Sequence, residues 1–381
     1  MTKSSKEIAI ELLRSLIGFA SVSSQSNAEV SQFIAATAES FGLSVDIQSY
    51  VDPNGVQKCN VIGHHRGSSS QTGGLAYFSH SDVVPATSWT GPEGDPFIAQ
   101  QLDDRIYGRG ACDMKGSVAA MLAAINSVDL ASCDAPIWFV CTADEEVGFE
   151  GVRQFVEKHS AFEEIVADQP LTIIGEPTSL RPVRAHKGIV AFRFEAMGRA
   201  AHSGTDLGIN ANRAMVPLMQ RFGEIEKRCR EEQALHDNVF DPCHLSFNFG
   251  ISDGMRAINI TPARSTAWAS WRPMPGSDGV WIEDTLRQVC QENGITIREV
   301  SRGGPLVTDE SNPEIQSLVK MTGQSPLTVA YGTDGGELNL LENRVVLGPG
   351  SIDQAHTADE FITIEQLSKG VDLYRTLIES R

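Results

Sequence analysis

The run Leu75-Ala76-Tyr77-Phe78-Ser79-His80-Ser81-Asp82 constrains this chain more than any other stretch. Its apolar beginning reads as a buried strand. It ends in a histidine and a carboxylate two residues apart. A pair of that kind at a strand end can hold a metal ion: His80 offers a ring nitrogen, and Asp82 takes the other ring N–H. Taken alone, a strand-end histidine that caps or bonds locally explains the same residues. Four further segments with the same chemistry decide between the two readings.

In Tyr107-Gly108-Arg109-Gly110-Ala111-Cys112-Asp113-Met114-Lys115-Gly116, glycines allow a tight turn that places Asp113 near the start of the apolar helical run Val118–Ile125. Asp is common there as an N-cap, but a carboxylate can also bridge two ions. In Val140-Cys141-Thr142-Ala143-Asp144-Glu145-Glu146, three acids follow a buried strand with no basic residue among them. Acid runs are usually solvated faces. Open α/β sheets, however, bind ligands at the carboxyl ends of their strands. Adjacent carboxylates there can divide the work, one holding a metal and one moving a proton. Ile173-Ile174-Gly175-Glu176-Pro177 is again a strand followed by an acid, with Pro177 biasing Glu176 away from helix. Finally, Leu347-Gly348-Pro349-Gly350 leads from a strand into a loop carrying His356. Two histidines and three or four carboxylates suit a pair of zinc-like ions better than one. An all-N/O donor set also fits cobalt or manganese.

With 381 residues, the chain is long enough for two domains. A net charge of −18 disfavours nucleic acid and anionic membrane surfaces. No apolar run approaches the length of a membrane span. The N-terminal stretch mixes Ile8, Leu12, Leu13 and Leu16 with Glu7, Glu11 and Arg14 at helical spacing, which predicts a first helix rather than a secretory signal and a cytoplasmic protein. Seven scattered cysteines without a C-x-x-C pair argue against both a disulfide framework and a thiolate zinc site.

From Ile8 to about Ala185, helical stretches (Ser117–Val128, Val152–His159) alternate with strands (Leu75–Phe78, Ile137–Cys141, Leu171–Ile174). That alternation predicts an α/β fold with a mixed, mostly parallel sheet. Ser68–Gly74 reads as a Ser/Gly-rich loop. Strands at Ile189–Ala196, Leu245–Phe249 and Ser265–Trp271 and helices at Ala211–Glu232 and Trp281–Asn293 make an inserted α+β unit. The expected division is a catalytic domain over 1–186 and 301–381, interrupted by an inserted domain over 187–300.

Together the five segments resemble the M20 family of metallopeptidases and amidohydrolases over nearly the whole chain. The resemblance implies a zinc-dependent exopeptidase-like catalytic domain with a smaller inserted lid that commonly dimerises, two Zn2+ per subunit with Co2+ or Mn2+ as substitutes, and a homodimer. It implies that His80, Asp113 and Glu176 hold one ion and Asp113, Glu146 and His356 the other. Glu145 is then the general base and Asp82 orients His80. Ile174–Gly188, Leu347–His356 and Trp271-Arg272-Pro273-Met274-Pro275-Gly276 are most similar to the acetylornithine deacetylase branch of the family. That branch implies hydrolysis of an N-acyl amino acid, N2-acetyl-L-ornithine, in arginine biosynthesis. The Tyr331–Glu337 segment departs from it toward the broader family, so a desuccinylase, another N-acyl-amino-acid hydrolase or a dipeptidase stays open.

Three residues of the inserted unit are candidates for substrate contact. The resemblance implies that His202, in Gly198-Arg199-Ala200-Ala201-His202-Ser203-Gly204, stabilises the oxyanion; a lone loop histidine is otherwise structural. Arg272 follows a strand and suits a substrate carboxylate, or a surface ion pair. Asn259 is a further candidate, with turn chemistry as its alternative. His64, His65, His159, His236 and His244 carry no motif and are expected to be structural.

Overall fold

The computed structural model describes residues 3–68, 72–92, 94–254 and 257–381. Residues 69–71 of the expected Ser/Gly-rich loop lie outside the described residues. The chain forms two compact units, one of residues 1–185, 307–327 and 333–381 and the other of residues 186–306 and 328–332.

In the first unit, Leu75–His80 is buried at every position. It lies in a sheet between Ile137–Thr142 and Leu171–Ile174, parallel to both, and Arg344–Val346 extends the parallel set beyond Leu171–Ile174. A strand apolar on both sides needs cover on both faces. Tyr77 turns to one face, stacked against Phe139 and edge-on to Tyr374, while Phe78 turns to the other and meets Phe155. The helix Lys115–Asn126 is buried from Lys115 through Ile125, and its small side chains pack in one core with those of Ser5–Ile17 and Ile364–Glu379. The first helix begins with a capping box in which Ser4 and Glu7 satisfy each other's backbone N–H.

The sheet is mixed because the hairpin of Ser44–Val51 and Gln57–His65 pairs antiparallel to Ile137–Thr142, and Val183 pairs antiparallel to Val346. The hairpin has no clear period-2 pattern in the sequence. The register Leu75↔Ile137 through His80↔Thr142, with Phe78↔Ile174, brings the carboxyl ends of the parallel strands to one edge. All five candidate segments therefore belong to this unit, and four of them leave that edge.

The second unit is a four-stranded antiparallel sheet in the order Phe247–Ser252, Arg264–Trp271, Ile189–Met197, Thr296–Gly303. Burial alternates along Ile189–Met197 and Arg264–Trp271, as expected of a sheet with one covered face. The helices Asn212–Glu231 and Val280–Asn293 supply the cover, with Phe194 edge-on to Phe222. No helix among the described residues is long and apolar enough to cross a membrane. All seven cysteines are free, in line with the sequence reading.

Candidate metal centre

His80 is buried at the end of its strand. Its Nε2 lies 3.3 Å from Asp113 Oδ1 and 3.6 Å from Glu176 Oε1. His356 sits in the left-handed region, with its Nε2 3.1 Å from Glu146 Oε2 and 3.4 Å from Asp113 Oδ2. The two oxygens of Asp113 thus face two different histidines, each accompanied by a further glutamate. Donors roughly 2.0–2.2 Å from a tetrahedral zinc stand about 3.3–3.5 Å from one another. The separations here match that spacing, and the donors are all N and O. His80, Asp113 and Glu146 form one group able to hold an ion, and His80, Glu145 and Glu176 form another.

The electrostatics favour a cation. Burial pushes the Glu145 and Glu176 carboxyls well up, helped by Glu176 on the first and Asp113 on the second. Burial also raises Glu146, again with Asp113 adding repulsion. For Asp113 burial works the same way, but hydrogen bonds from His356 and His80 override it and hold this carboxyl far below its usual range. Burial opposes the charge on His80, yet Asp113 and the surrounding glutamates raise it. Contacts with Asp113 and Glu146 raise His356 to about 10. More carboxylates converge here than two histidines can neutralise. A buried cluster of that kind is stable when it coordinates metal.

The N-cap reading of Asp113 does not hold. Met114 is the cap residue of Lys115–Asn126, and no side chain caps that end. The orienting role expected of the Asp82 carboxylate also changes form. His80 Nδ1 lies 2.9 Å from the backbone carbonyl oxygen of Asp82 and 3.6 Å from its carboxylate. The carboxylate instead accepts the Ser23 hydroxyl at 2.7 Å and the Glu145 N–H at 3.3 Å. Asp82 therefore ties the His80 strand end to the Glu145 turn through both its backbone and its side chain.

That turn rests on residues no motif signalled. Lys58 is fully buried on Gln57–His65, and its Nζ meets Asp144 Oδ1 at 2.6 Å and the carbonyls of Ser23 and Gln25. Tyr50 donates to the other Asp144 oxygen at 2.8 Å. Asn60 accepts the Ala143 N–H and donates to the Gly151 carbonyl. Gly151 has to be glycine, since a Cβ there would stand 2.1 Å from the Ala143 carbonyl oxygen. Asp144, left-handed at φ 59°, is thus clamped so that Glu145 and Glu146 turn toward the histidines. Lys58→Met leaves the buried Asp144 carboxylate without its counter-charge, with the Tyr50 hydroxyl still donating to it. It is expected to cost about 3–5 kcal/mol, read as a lower urea midpoint, and an unchanged midpoint would refute the clamp. Beneath the site, the Thr142 hydroxyl donates to Asp334 at 2.6 Å, and burial pushes that carboxyl up to about 7.

The other predicted residues lie in the second unit. His202 and Asn259 sit side by side: the Ser203 N–H donates to the Asn259 carbonyl, and His202 bridges to Ile260. Both side chains are exposed, and His202 Nδ1 accepts the Gly204 N–H. Arg272 is half-buried; burial lowers its pKa, and no carboxylate among the described residues offsets the effect. Of the histidines expected to be structural, His159 caps Ser160–Asp168 and His64 stacks on Trp138.

The sequence pattern of peptidase family M20/M25/M40 matches residues 76–380. An acetylornithine deacetylase of Myxococcus xanthus is 32% identical over 366 residues, covering 93% of this chain and 92% of the relative. An acetylornithine deacetylase of Proteus mirabilis is 31% identical, covering 97% and 96%. Among solved structures, an M20 family metallo-carboxypeptidase of Sulfolobus solfataricus superposes with a TM-score of 0.77 at 18% identity, covering 97% of this chain and 98% of its own.

Proposed function

This chain belongs to peptidase family M20/M25/M40 and is therefore a hydrolase, and we propose that it cleaves the acetyl group from N2-acetyl-L-ornithine, releasing acetate and ornithine. The observation that carries the two-ion hydrolytic part of the proposal is the division of the Asp113 carboxylate between His80 and His356. In this reading His80, Asp113 and Glu176 hold one ion, and Asp113, Glu146 and His356 the other, with zinc as the resident metal and cobalt or manganese as substitutes. A pair of ions bound there would polarise the amide carbonyl and lower the pKa of the attacking water.

Glu145 is the base. It accepts a proton from the water and returns it to the leaving amine nitrogen. Asp82 keeps His80 and the Glu145 turn in register. His202, Asn259 and Arg272 enter from their sequence segments alone. His202 donates to the oxyanion, and Asn259 assists in binding. The Arg272 guanidinium receives the substrate carboxylate, a task suited to an arginine whose burial no acid among the described residues offsets. The substrate class is supported by the two acetylornithine deacetylase relatives together with the Ile174–Gly188 and Leu347–His356 segments. Arginine biosynthesis in the cytoplasm is the corresponding setting.

A homodimer through the second unit belongs to the same proposal. Phe247–Ser252 is an edge strand, and Ile251 and the neighbouring Trp268 are about half exposed. The test is kcat/KM of zinc-loaded protein on N2-acetyl-L-ornithine beside N-succinyl-L,L-diaminopimelate. A preference of about 100-fold or more for the acetyl substrate is expected. Preference for the succinyl substrate, or turnover of neither, overturns the assignment. In sedimentation equilibrium the same preparation should have twice the 41.3 kDa chain mass, and a monomer would overturn the dimer.

A further inference from the structure

Outside the residues that face the histidines, one carboxylate is completely enclosed and completely used. Glu360 is 0% exposed. Its Oε1 accepts the backbone N–H of Cys112 at 2.8 Å and of Asp113 at 2.9 Å. Its Oε2 accepts the N–H of Gly110 at 2.9 Å and Arg109 Nη1 at 2.6 Å. Arg109 reaches on to the Thr357 carbonyl with Nη2, and the Gly108 N–H meets the Glu360 carbonyl. Cys112 Sγ adds a contact with the Ser351 carbonyl. Every one of these bonds joins the turn that presents Asp113 to the loop that presents His356.

The turn needs such a clamp. Gly110 is left-handed at φ 81°, and a Cβ there would stand 2.7 Å from Val83, so the backbone is threaded through a tight gap. Within the turn, the N–H groups of Gly110, Cys112 and Asp113 converge on the two oxygens of this one carboxylate. Converging backbone donators of this kind form an anion-binding nest, and here the chain fills it with its own carboxylate. His80 and Glu176, by contrast, leave their strands directly and take no support from Glu360.

We infer that Glu360 is a positioning residue that sets the Asp113 carboxylate against His356 and thereby governs the second of the two ion sites. The inference rests on the two-ion reading above. It assigns Glu360 no contact with substrate; the residue acts through the backbone of Asp113 and, by way of Arg109, through the loop that follows His356. Outer partners of metal ligands generally alter affinity by roughly 10–100-fold when removed. Asp113 serves both ions, but the clamp reaches both Asp113 and the His356 loop at the second site and Asp113 alone at the first, so the larger loss falls on the second ion.

The test is a titration of metal-free wild type and Glu360→Gln with Zn2+ against a competing chromogenic chelator, with the unfolding temperature of each metal-free protein measured in parallel. The amide of glutamine has one acceptor and cannot serve the N–H groups on both sides, so the turn loosens while the volume is kept. Wild type should bind two ions. Glu360→Gln should bind the second ion roughly 10–100-fold more weakly and the first with a clearly smaller loss, and saturating zinc should restore its kcat. A general loss of structure would instead weaken both ions to the same degree and lower the metal-free unfolding temperature without rescue by zinc, which overturns the inference. Glu360→Asp retains the charge but reaches only part of the nest; it should give an intermediate second affinity and serves if the glutamine variant does not fold. Two ions bound by both variants with wild-type affinity overturn the role of Glu360 and leave the two-ion reading intact. A wild type that binds a single ion removes that reading, and the inference with it.

Discussion

Glu145→Gln is expected to retain both ions and to lose about 10²–10⁴-fold in kcat. The substitution keeps the shape of the side chain and removes its ability to take a proton. The backbone contact from the Glu145 N–H to Asp82 is untouched. Glu145 is crowded by burial and by the Glu176 charge, which raises its proton affinity. That is the property a base needs if it is to hold a proton from water until the amine departs. Metal content measured by atomic absorption beside kcat separates the two roles. Near-normal turnover with full metal would remove Glu145 as the base, whereas parallel loss of metal and activity would make it a ligand, a possibility its grouping with His80 and Glu176 makes worth excluding.

The second large effect is on stability. At zinc a thousandfold above its dissociation constant, each ion should add about 4 kcal/mol, read as a shift of the urea midpoint. The gain should grow with pH. His356 in the metal-free protein is raised to about 10 by Asp113 and Glu146, and His80 is raised as well. A histidine raised on folding contributes stability that is complete below about 6.5 and is lost as pH climbs through the folded value. Glu145 and Glu176, raised by burial, act in the same direction, because the folded chain prefers them protonated. Asp113 has the opposite sign, but its change falls on the acid side, below the carboxylate range. The metal-free protein should therefore weaken between pH 6 and pH 9, while zinc, competing with fewer protons, should bind more tightly over that interval. A zinc-induced gain that is absent, or that shrinks with rising pH, would contradict the charge balance of the site.

The parallel core was legible because Leu75–Phe78, Ile137–Cys141 and Leu171–Ile174 are apolar on both faces, and only an interior strand can bury both. The second unit was legible as strand-like runs at Ile189–Ala196, Leu245–Phe249 and Ser265–Trp271 with helical stretches between them, and burial alternates along Ile189–Met197 and Arg264–Trp271. The hairpin of Ser44–Val51 and Gln57–His65 was not read. Its first strand is largely exposed, and its second carries Lys58 and Asn60 in the interior, where polarity argues against a core strand.

Residue types and spacing singled out the candidate donors: His80, Asp82, Asp113, Glu145, Glu146, Glu176 and His356 all stand in segments where a strand or a glycine turn delivers one. These are local properties, and local sequence expresses them. Tertiary structure alone decided how the donors are held. Lys58 meets Asp144, Tyr50 reaches the same carboxylate, and Glu360 collects N–H groups from a turn 247–250 residues away along the chain. A buried lysine or glutamate looks in sequence like any surface charge. Only the fold reveals that its partner waits in the interior, because desolvating a charge is tolerable only where folding has already assembled the groups that compensate it.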